Sequence, residues 1–461
     1  MPSSPQRGSP SHKGGDDDYK DRVKPETSSF WNNSAMAISV LALGVVIPLS
    51  LGLFSMETCV STTERPLPDK AQIIDQTSLN VLDIVPPPSA SNATMLFIWP
   101  DVTTKSLTER PFHVYDSEFY DIIGSDPSLT LIATTDTDPI FYEAVVWYPP
   151  TDEMFFAQNA GDPAARTGLN KSSVLQKISL VDAEALRNGT HAENEVKVYV
   201  VPEKPKLLLT AIIGGTNYKG EIIFAGEGQG DTSPSALYLM NPVEPYNTTV
   251  LINNYFGRQF NSINDVSISP QNGDIYFTDT MYGNWQFFRP KPGLPNQVYR
   301  FNRATGALTV VADGFESPNG LTFSPDGSYA YVTDTGLSHA QHGLNFTRPA
   351  TIYRFEVQKD DGRTSLNTLP MLKKRKAFSY SAWHLFIHDP RLGIHCDSKG
   401  NVYAGCGDGV HVWNRSGKLI GKIYTGVVVA NFQFAGKGRM IIMGRTNLFY
   451  ATLAASGAPI N

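Results

Sequence analysis

The chain has 461 residues, of which 41% are hydrophobic and 18% charged, with 38 Gly, 32 Pro and 3 Cys. This composition is typical of an ordered globular protein and excludes a collagenous, disulfide-stapled or wholly disordered chain. The formal net charge of −6 is spread without a basic stripe, which argues against nucleic acid as a partner, and the cysteines lack the paired spacing of a zinc site.

The N-terminal part predicts a tail followed by a hydrophobic segment. Residues 1–34 are rich in Ser, Pro, Gly and Asp without apolar periodicity, so we expect them to be disordered. Residues 35–54 contain no charge and would span about 30 Å as a helix, which matches the hydrocarbon thickness of a bilayer. Lys20, Arg22 and Lys24 precede this segment, as in a signal anchor with its N-terminus in the cytosol. A cleaved signal peptide is the alternative.

Either form of the hydrophobic segment directs the chain into the secretory pathway. The protein is then membrane-anchored through residues 35–54, or secreted if they are removed. Asn-x-Ser/Thr sequons agree with this route and predict a glycoprotein; they lie at Asn32, Asn92, Asn170, Asn188, Asn247, Asn345 and Asn414. Residues 55–70 predict a linker, and residues 71–461 predict one folded domain.

Within residues 71–461, a turn followed by an apolar, aromatic strand recurs six times. The copies lie at 151–157, 219–225, 272–278, 326–332, 399–405 and 437–443. Each interval is long enough for four short strands, and residues 181–187 are the best helical candidate in a chain that otherwise lacks helical periodicity. The repeats predict an all-β, six-bladed β-propeller closed around a central channel.

Polar residues stand at the start of the strands that precede four of these turns. They are Glu143, Asn264, Asn319 and Asn431. The innermost strand of each propeller blade runs along the channel, so we expect such residues to converge at one channel mouth. A carboxylate with several carboxamides makes an oxygen-only cage that suits Ca²⁺, which predicts a central metal site. The alternative is that each Asn caps a turn.

Several motifs carry a resemblance to a known family: Phe141-Tyr-Glu-Ala-Val-Val-Trp147, Phe260-Asn-Ser-Ile-Asn-Asp-Val266, Ser317-Pro-Asn-Gly-Leu321, and the stretches 403–413 and 431–436. From about residue 66 onward the chain resembles the fungal lactonohydrolases, within the wider gluconolactonase and regucalcin-like family of six-bladed propellers. The resemblance implies hydrolysis of a lactone assisted by a central divalent cation, usually Ca²⁺. By position, Glu143 and Asn319 match family metal ligands, and Asn264 matches a residue that ligates the metal or orients the substrate.

The family's remaining site residue is an Asp in a Pro-Asp-Gly turn, and here the chain departs from the pattern. It reads Ile387-His-Asp-Pro-Arg-Leu-Gly393. Asp389 takes the place of that metal ligand and catalytic residue if residues 390–392 bulge out of the strand. If the strand has no bulge, the residue at the matching position is instead Leu392, which can neither bind a metal nor accept a proton.

Lactone hydrolysis needs a polarised carbonyl and a base that takes a proton from water. Asp389 is the first candidate for this base. Asp265, adjacent to Asn264, is the second, and its alternative role is to bond backbone at the strand entry. The stretch 282–288 is expected either to wall a substrate pocket or to pack between blades.

The sequence therefore predicts a metal-dependent hydrolase of small hydroxylated lactones, of the aldonolactone or pantoyl-lactone type. One alternative is a related propeller esterase with a histidine base, like the paraoxonases. The other is a non-catalytic propeller that binds a glycan or a protein. The absence of a Gly-x-Ser-x-Gly motif argues against a serine esterase.

Overall fold

A computed structural model of the chain describes residues 65–81, 103–158, 174–202, 211–358, 372–380 and 393–460. The chain divides into two units, Met1–Thr63 and Glu64–Asn461, and all described residues belong to the second. The predicted tail and hydrophobic segment, residues 1–54, lie outside the described residues and stay predictions. In the ranges given above, no helix combines the length and the apolar character needed to cross a membrane.

Three strands precede the first complete blade: β1 (Ala71–Ile73), β2 (Phe112–Val114) and β3 (Ser128–Thr134). Blade 1 consists of β4 (Glu143–Tyr148), β5 (Glu153–Ala157), β6 (Leu175–Ser179) and β7 (Tyr199–Val200). Blade 2 consists of β8 (Ile212–Tyr218), β9 (Glu221–Gly226), β10 (Ala236–Met240) and β11 (Thr248–Ile252). Within each of these blades the strands follow one another in chain order from the channel outward.

Blades 3 and 4 repeat this arrangement. Blade 3 consists of β12 (Ile263–Ile268), β13 (Ile275–Asp279), β14 (Gln297–Asn302) and β15 (Ala307–Ala312). Blade 4 consists of β16 (Pro318–Phe323), β17 (Tyr329–Asp334), β18 (Thr351–Val357) and β19 (Leu372–Tyr380). All neighbouring strands in these blades pair antiparallel.

The last two blades recruit strands from the beginning of the domain. Blade 5 consists of β20 (Ile394–Cys396), β21 (Val402–Cys406), β22 (Gly409–Trp413) and β23 (Leu419–Tyr424), extended outward by β2 and β1. Blade 6 consists of β24 (Asn431–Phe434), β25 (Arg439–Gly444) and β26 (Asn447–Thr452), with β3 as its outermost strand. The Ser128 and Thr452 hydroxyls lie 2.7 Å apart across this last pairing, although the residues are 324 positions apart in sequence. This pairing closes the ring.

Helices are few and short in the described residues: α1 (Thr104–Glu109), α2 (Tyr120–Ile123), α3 (Leu180–Arg187) and α4 (Tyr282–Trp285), with 3-10 turns at Gln76–Leu79, Ser117–Phe119 and Ala340–His342. The helix predicted at 181–187 is confirmed as α3. It begins one residue earlier because Ser179 caps it, accepting the Asp182 N–H at 3.2 Å.

Each of the six predicted repeats forms the hairpin between the first and second strands of one blade, which confirms the six-bladed propeller. In five of the hairpins the turn glycine has φ between 66° and 84°, the left-handed region that glycine enters without steric cost. These are Gly220, Gly273, Gly327, Gly400 and Gly438. In the first repeat the turn residue with positive φ is Asp152, whose carboxylate accepts the Trp147 indole N–H at 2.9 Å.

The hydrophobic core lies between neighbouring blades. Tyr276 of blade 3 meets Phe323 of blade 4 edge-on, with ring centroids 5.0 Å apart. Tyr403 of blade 5 meets Phe434 of blade 6 in the same way, also at 5.0 Å. Because each blade buries its faces only against its neighbours, the closed ring holds the inner strands in fixed register around the channel.

Candidate functional site

The inner strands of three blades place polar residues at the same level of one channel mouth. Each of these strands enters its hairpin turn through a residue whose backbone pairs across that turn: Tyr148 at the end of β4, Ser269 directly after β12 and Ser324 directly after β16. Five residues before each of these ends lies one of the predicted residues, Glu143, Asn264 and Asn319. Each of the three strands also has a register irregularity near its predicted residue, between Glu143 and Val146 in β4, Ile263 and Val266 in β12, and Pro318 and Leu321 in β16. We call these three residues the polar ring.

Counting five residues back from the hairpin turn identifies the residues at the same level in the other blades. In blades 2 and 6 these residues are Ile213 and Ala430. In blade 5 the count starts from Asp397 and falls on Leu392, which lies outside the described residues together with Asp389. Asn431 comes one position too late to belong to this level, so its expected equivalence with Asn264 and Asn319 is wrong. A shift of one residue turns a strand side chain to the other face.

The polar ring is buried, and the carboxamides of its two asparagines are incompletely bonded. Glu143, Asn264 and Asn319 are exposed by only 3%, 3% and 4%. The side-chain Nδ2 atoms of both asparagines have no hydrogen-bond partner among the described residues. Leaving a buried polar group unpaired costs about 1–3 kcal/mol, so these carboxamides are suited to face a further polar group.

The donor set of the polar ring fits a hard divalent cation. It offers one carboxylate and two carboxamide oxygens, which are the ligand types that Ca²⁺ takes. Across the described ranges, no group of three or more His, Cys, Asp or Glu could hold a metal ion. A cation at this mouth would therefore rely on amide oxygens and on whatever the segment around Asp389 contributes.

Asp265, the second candidate base, connects two blades through backbone hydrogen bonds. One carboxylate oxygen accepts the Val266 N–H and the other accepts the Leu321 N–H of β16, both at 2.8 Å. Burial in the channel raises the pKa of Asp265 to about 7, against the opposing effect of these two donors. The geometry thus gives Asp265 the backbone-bonding role that the sequence left as the alternative.

Thr278 strengthens the same connection between the strands of Asn264 and Asn319. Its hydroxyl oxygen accepts the Asp265 N–H at 3.0 Å, and the hydroxyl donates to the Asn319 carbonyl oxygen at 2.7 Å. On the opposite side, a Cβ at Gly214 would lie 2.3 Å from the Asn264 carbonyl oxygen, so β8 can approach β12 only with glycine there. These contacts fix the spacing of the polar ring.

The Thr-Asp-Thr motifs at 278–280 and 333–335 fix the entries of two inner strands. The Asp279 carboxylate accepts the Asn261 N–H at 3.0 Å and the Ser262 N–H at 2.8 Å, just before Asn264. In blade 4, Asp334 accepts the Ser317 N–H at 2.9 Å in the same way. Burial raises the pKa of Asp279 to about 7. Both aspartates therefore hold the strand entries.

Beyond the polar ring, on the side of the hairpin turns, the channel contains a cavity of about 540 Å³. Residues of all six inner strands line it, among them Val145, Asn217, Asp265, Thr322, His395 and Gln433. None of the polar-ring residues lines it. The polar ring and the cavity are therefore successive levels of one channel.

Three histidines that could supply a base by sequence, His113, His395 and His411, are packed inside the protein. His395 meets the edge of Phe432 at 5.1 Å, and burial lowers its pKa to about 4. His411 lies 2.9 Å from Asp408, and burial lowers its pKa as well. Burial lowers the pKa of His113 to about 3. His384 and His388 lie outside the described residues.

One pair of ionisable residues near the polar ring was missed in the sequence. Glu316 stands three residues before Asn319, and its carboxylate lies 3.2 Å from Nε2 of His339. Both side chains are partly exposed, by 22% and 25%. The signal was a carboxylate directly before the Ser-Pro-Asn-Gly motif, but the loop that brings His339 back is read only from the structure.

Comparison with known proteins identifies relatives of this chain. The family model described as the SMP-30/Gluconolactonase/LRE-like region matches residues 178–443. The lactonohydrolase oryL of Aspergillus oryzae is 29% identical over 334 residues, which cover 69% of this chain and 68% of the relative. The lactonohydrolase oryH of the same organism is 24% identical over 429 residues, covering 77% and 83%. The solved structure of a gluconolactonase from Xanthomonas campestris is similar, with a TM-score of 0.55 at 20% identity. The match covers 74% of this chain and 94% of that protein, and it supports the propeller fold.

Proposed function

Because the chain belongs to the SMP-30/Gluconolactonase/LRE-like family, whose model matches residues 178–443, we propose that it is a lactonase. The observation that carries this proposal is the polar ring, whose carboxylate and two carboxamides are buried at matching positions of three inner strands. Relatives named lactonohydrolases support the same reaction class. The reaction is hydrolysis of the cyclic ester to a hydroxy acid.

We further propose that Glu143, Asn264 and Asn319 hold a divalent cation, Ca²⁺ by their chemistry. Such a cation, when bound, polarises the lactone carbonyl and stabilises the charge that develops on its oxygen. Glu143 supplies the negative charge of the described donor set. Asn264 either binds the cation through oxygen or donates its N–H to the substrate. Burial of all three excludes water that would screen these interactions.

Asp389 is the proposed fourth ligand and the base that accepts the proton of the attacking water. Asp265 is poorly placed for that task, because both of its carboxylate oxygens already accept backbone N–H groups. The proposal for Asp389 requires residues 390–392 to bulge, since strict register brings Leu392 to the mouth. The proposed substrates are small hydroxylated lactones of the aldonolactone or pantoyl-lactone type.

A pH-stat assay tests this function, since ring opening releases a proton at neutral pH. We expect the full-length protein to open δ-gluconolactone or pantoyl lactone, to lose the activity with a chelator and to regain it with Ca²⁺. Activity that survives the chelator would contradict the proposed cation but would still support the proposal that the protein is a lactonase. No turnover of any lactone, together with retained Ca²⁺ binding, would favour the non-catalytic propeller.

For the N-terminal part we propose a single-pass anchor at residues 35–54, with the propeller on the lumenal or external side. The Lys/Arg-bearing lead before an uncharged segment supports this orientation. N-terminal sequencing of the native protein tests it. A sequence that starts near residue 60 would replace the anchor with a cleaved signal peptide.

A further inference from the structure

The short helix α4 is fixed to the strand that carries Asn264. The backbone N–H of Gly283 donates to Oγ of Ser262 at 3.1 Å, and Ser262 stands two residues before Asn264. The approach is close, since a Cβ at Gly283 would lie 2.8 Å from that Oγ and 2.3 Å from Cγ of Arg289. Glycine is therefore required to seat α4 against this strand entry.

The same helix is fixed to the strand that carries Asn319. The Tyr282 hydroxyl lies 2.6 Å from Oγ1 of Thr335. The Thr335 N–H in turn donates to the Ser317 carbonyl oxygen at 2.9 Å, two residues before Asn319. The helix α4 thus lies between the entries of β12 and β16, next to two members of the polar ring.

From this position, aromatic side chains of blade 3 meet those of blade 4. Trp285 stacks on His339 with ring centroids 4.5 Å apart and an interplanar angle of 29°. Phe287 meets His342 edge-on, with centroids 5.1 Å apart. We call these four residues the aromatic wall. Glu316, at 3.2 Å from the His339 ring nitrogen, orients that imidazole.

Packing between blades accounts for most of the stretch 282–288 but leaves much of the Phe287 side chain exposed. Tyr282 is fully buried and Phe288 is 7% exposed, whereas Phe287 is 61% exposed. Phe287 also has φ of 64°, a left-handed conformation that is rare for a bulky residue. Such strained residues are concentrated at ligand-contacting sites, where the surrounding structure holds them in place.

We propose that the aromatic wall receives an apolar alkyl or aryl substituent on the lactone ring, so that the preferred substrates are substituted lactones. This inference rests on the proposed lactonase function and narrows the lactones proposed above to those whose ring carries such an apolar substituent. The ring of Phe287 offers exposed apolar surface just after α4, which is bonded to the entries of β12 and β16, and a hydrocarbon substituent packed on this surface is removed from water. Trp285 and the two imidazoles complete this surface, and the Glu316 carboxylate adjoins it at His339.

Two lactones with the same ring test the proposal: δ-valerolactone, which is unsubstituted, and δ-decalactone, which adds a pentyl chain. We expect the full-length protein to show a kcat/KM at least tenfold higher for δ-decalactone. Phe287→Ala should lower this preference at least fivefold, mainly through KM for δ-decalactone. An unchanged preference in Phe287→Ala would overturn the proposal.

Phe256→Ala is the matched control. Phe256 is also exposed, by 84%, and also has positive φ, 49°, but its described ring contact is with Tyr255 of its own loop. This variant should change the preference less than twofold. If both variants lost the preference for δ-decalactone equally, the effect would be general to exposed phenylalanines, and the assignment to the aromatic wall would be overturned.

Calorimetric binding of 2-pentyltetrahydropyran, which has no ester to hydrolyse, separates this inference from the proposed reaction. Saturable binding that weakens at least fivefold in Phe287→Ala supports the aromatic wall even if no lactone is turned over. If 2-pentyltetrahydropyran does not bind to the parent protein, the aromatic-wall proposal is wrong, whether or not the protein is a lactonase. Circular dichroism and the Tm of each variant confirm that the compared proteins are folded.

Discussion

Replacing Asp265 by Ala should lower stability more than a single surface contact can, because its carboxyl group, mostly protonated at pH 5.5, connects β12 to β16. The substitution removes the acceptors of the Val266 and Leu321 N–H groups, each 2.8 Å from a carboxylate oxygen. At about 1–1.5 kcal/mol for each bond, the free energy of unfolding should fall by about 2–3 kcal/mol. Urea unfolding followed by tryptophan fluorescence at pH 5.5 measures this change.

Asn431→Ala is the control for this variant. Asn431 occupies the equivalent position in blade 6, where its Oδ1 accepts one backbone N–H, that of Phe432, at 2.9 Å. Its replacement should cost about half as much as that of Asp265. If Asp265→Ala matches the parent in stability but loses lactonase activity more than a hundredfold, Asp265 is the base and its role as a connection is wrong.

The pH dependence of stability gives a second test of Asp265. Its pKa is about 7 in the folded protein and about 3.9 in an unfolded chain, so the unfolded state releases the proton first as pH rises. The contribution of Asp265 to stability is therefore fully present below pH 4 and is lost as pH rises through 7, by up to about 1.4 kcal/mol per pH unit. Asp265→Asn should make the stability profile flatter between pH 5 and 7. Parallel profiles for parent and variant would contradict the raised pKa.

Three further substitutions address other parts of the account. Gly214→Ala should destabilise by about 1–3 kcal/mol in urea unfolding, because its Cβ would lie 2.3 Å from the Asn264 carbonyl oxygen. Lys422→Met should lower the free energy of unfolding by about 3 kcal/mol or more, since Lys422 lies 2.6 Å from the buried Asp408 carboxylate. Asp389→Asn should lower kcat about a hundredfold or more without shifting Tm, and an unchanged rate would remove Asp389 as the base.

The repeats predicted the blades because each hairpin is a local feature, with a turn residue and an apolar strand close in sequence. The strand that closes the ring was not predicted, since β3 has the pattern of any half-buried strand and its partner β26 is more than 300 residues away. The level of the polar ring was predicted for Glu143, Asn264 and Asn319. Asn431 was misplaced by one residue because the number of residues in its turn differs.

The contacts around the polar ring could also be predicted only in part. A carboxylate beside Asn264 was visible in the sequence, but only the fold shows that Asp265 reaches the Leu321 N–H in the next blade. The pairing of Trp285 with His339 likewise joins loops of two blades. Contacts between blades depend on how the strands twist and pack, and a single sequence carries no direct signal for them.

The most direct test of the central claim compares Glu143→Gln with the parent protein in one pH-stat titration with Ca²⁺. Starting from chelator-treated protein, the rate of lactone opening is followed as Ca²⁺ is added. The claim predicts that Glu143→Gln needs at least tenfold more Ca²⁺ for half-maximal rate, because the substitution removes the carboxylate charge of the polar ring while keeping its size and burial. Superimposable titrations for the two proteins would contradict a cation held by Glu143.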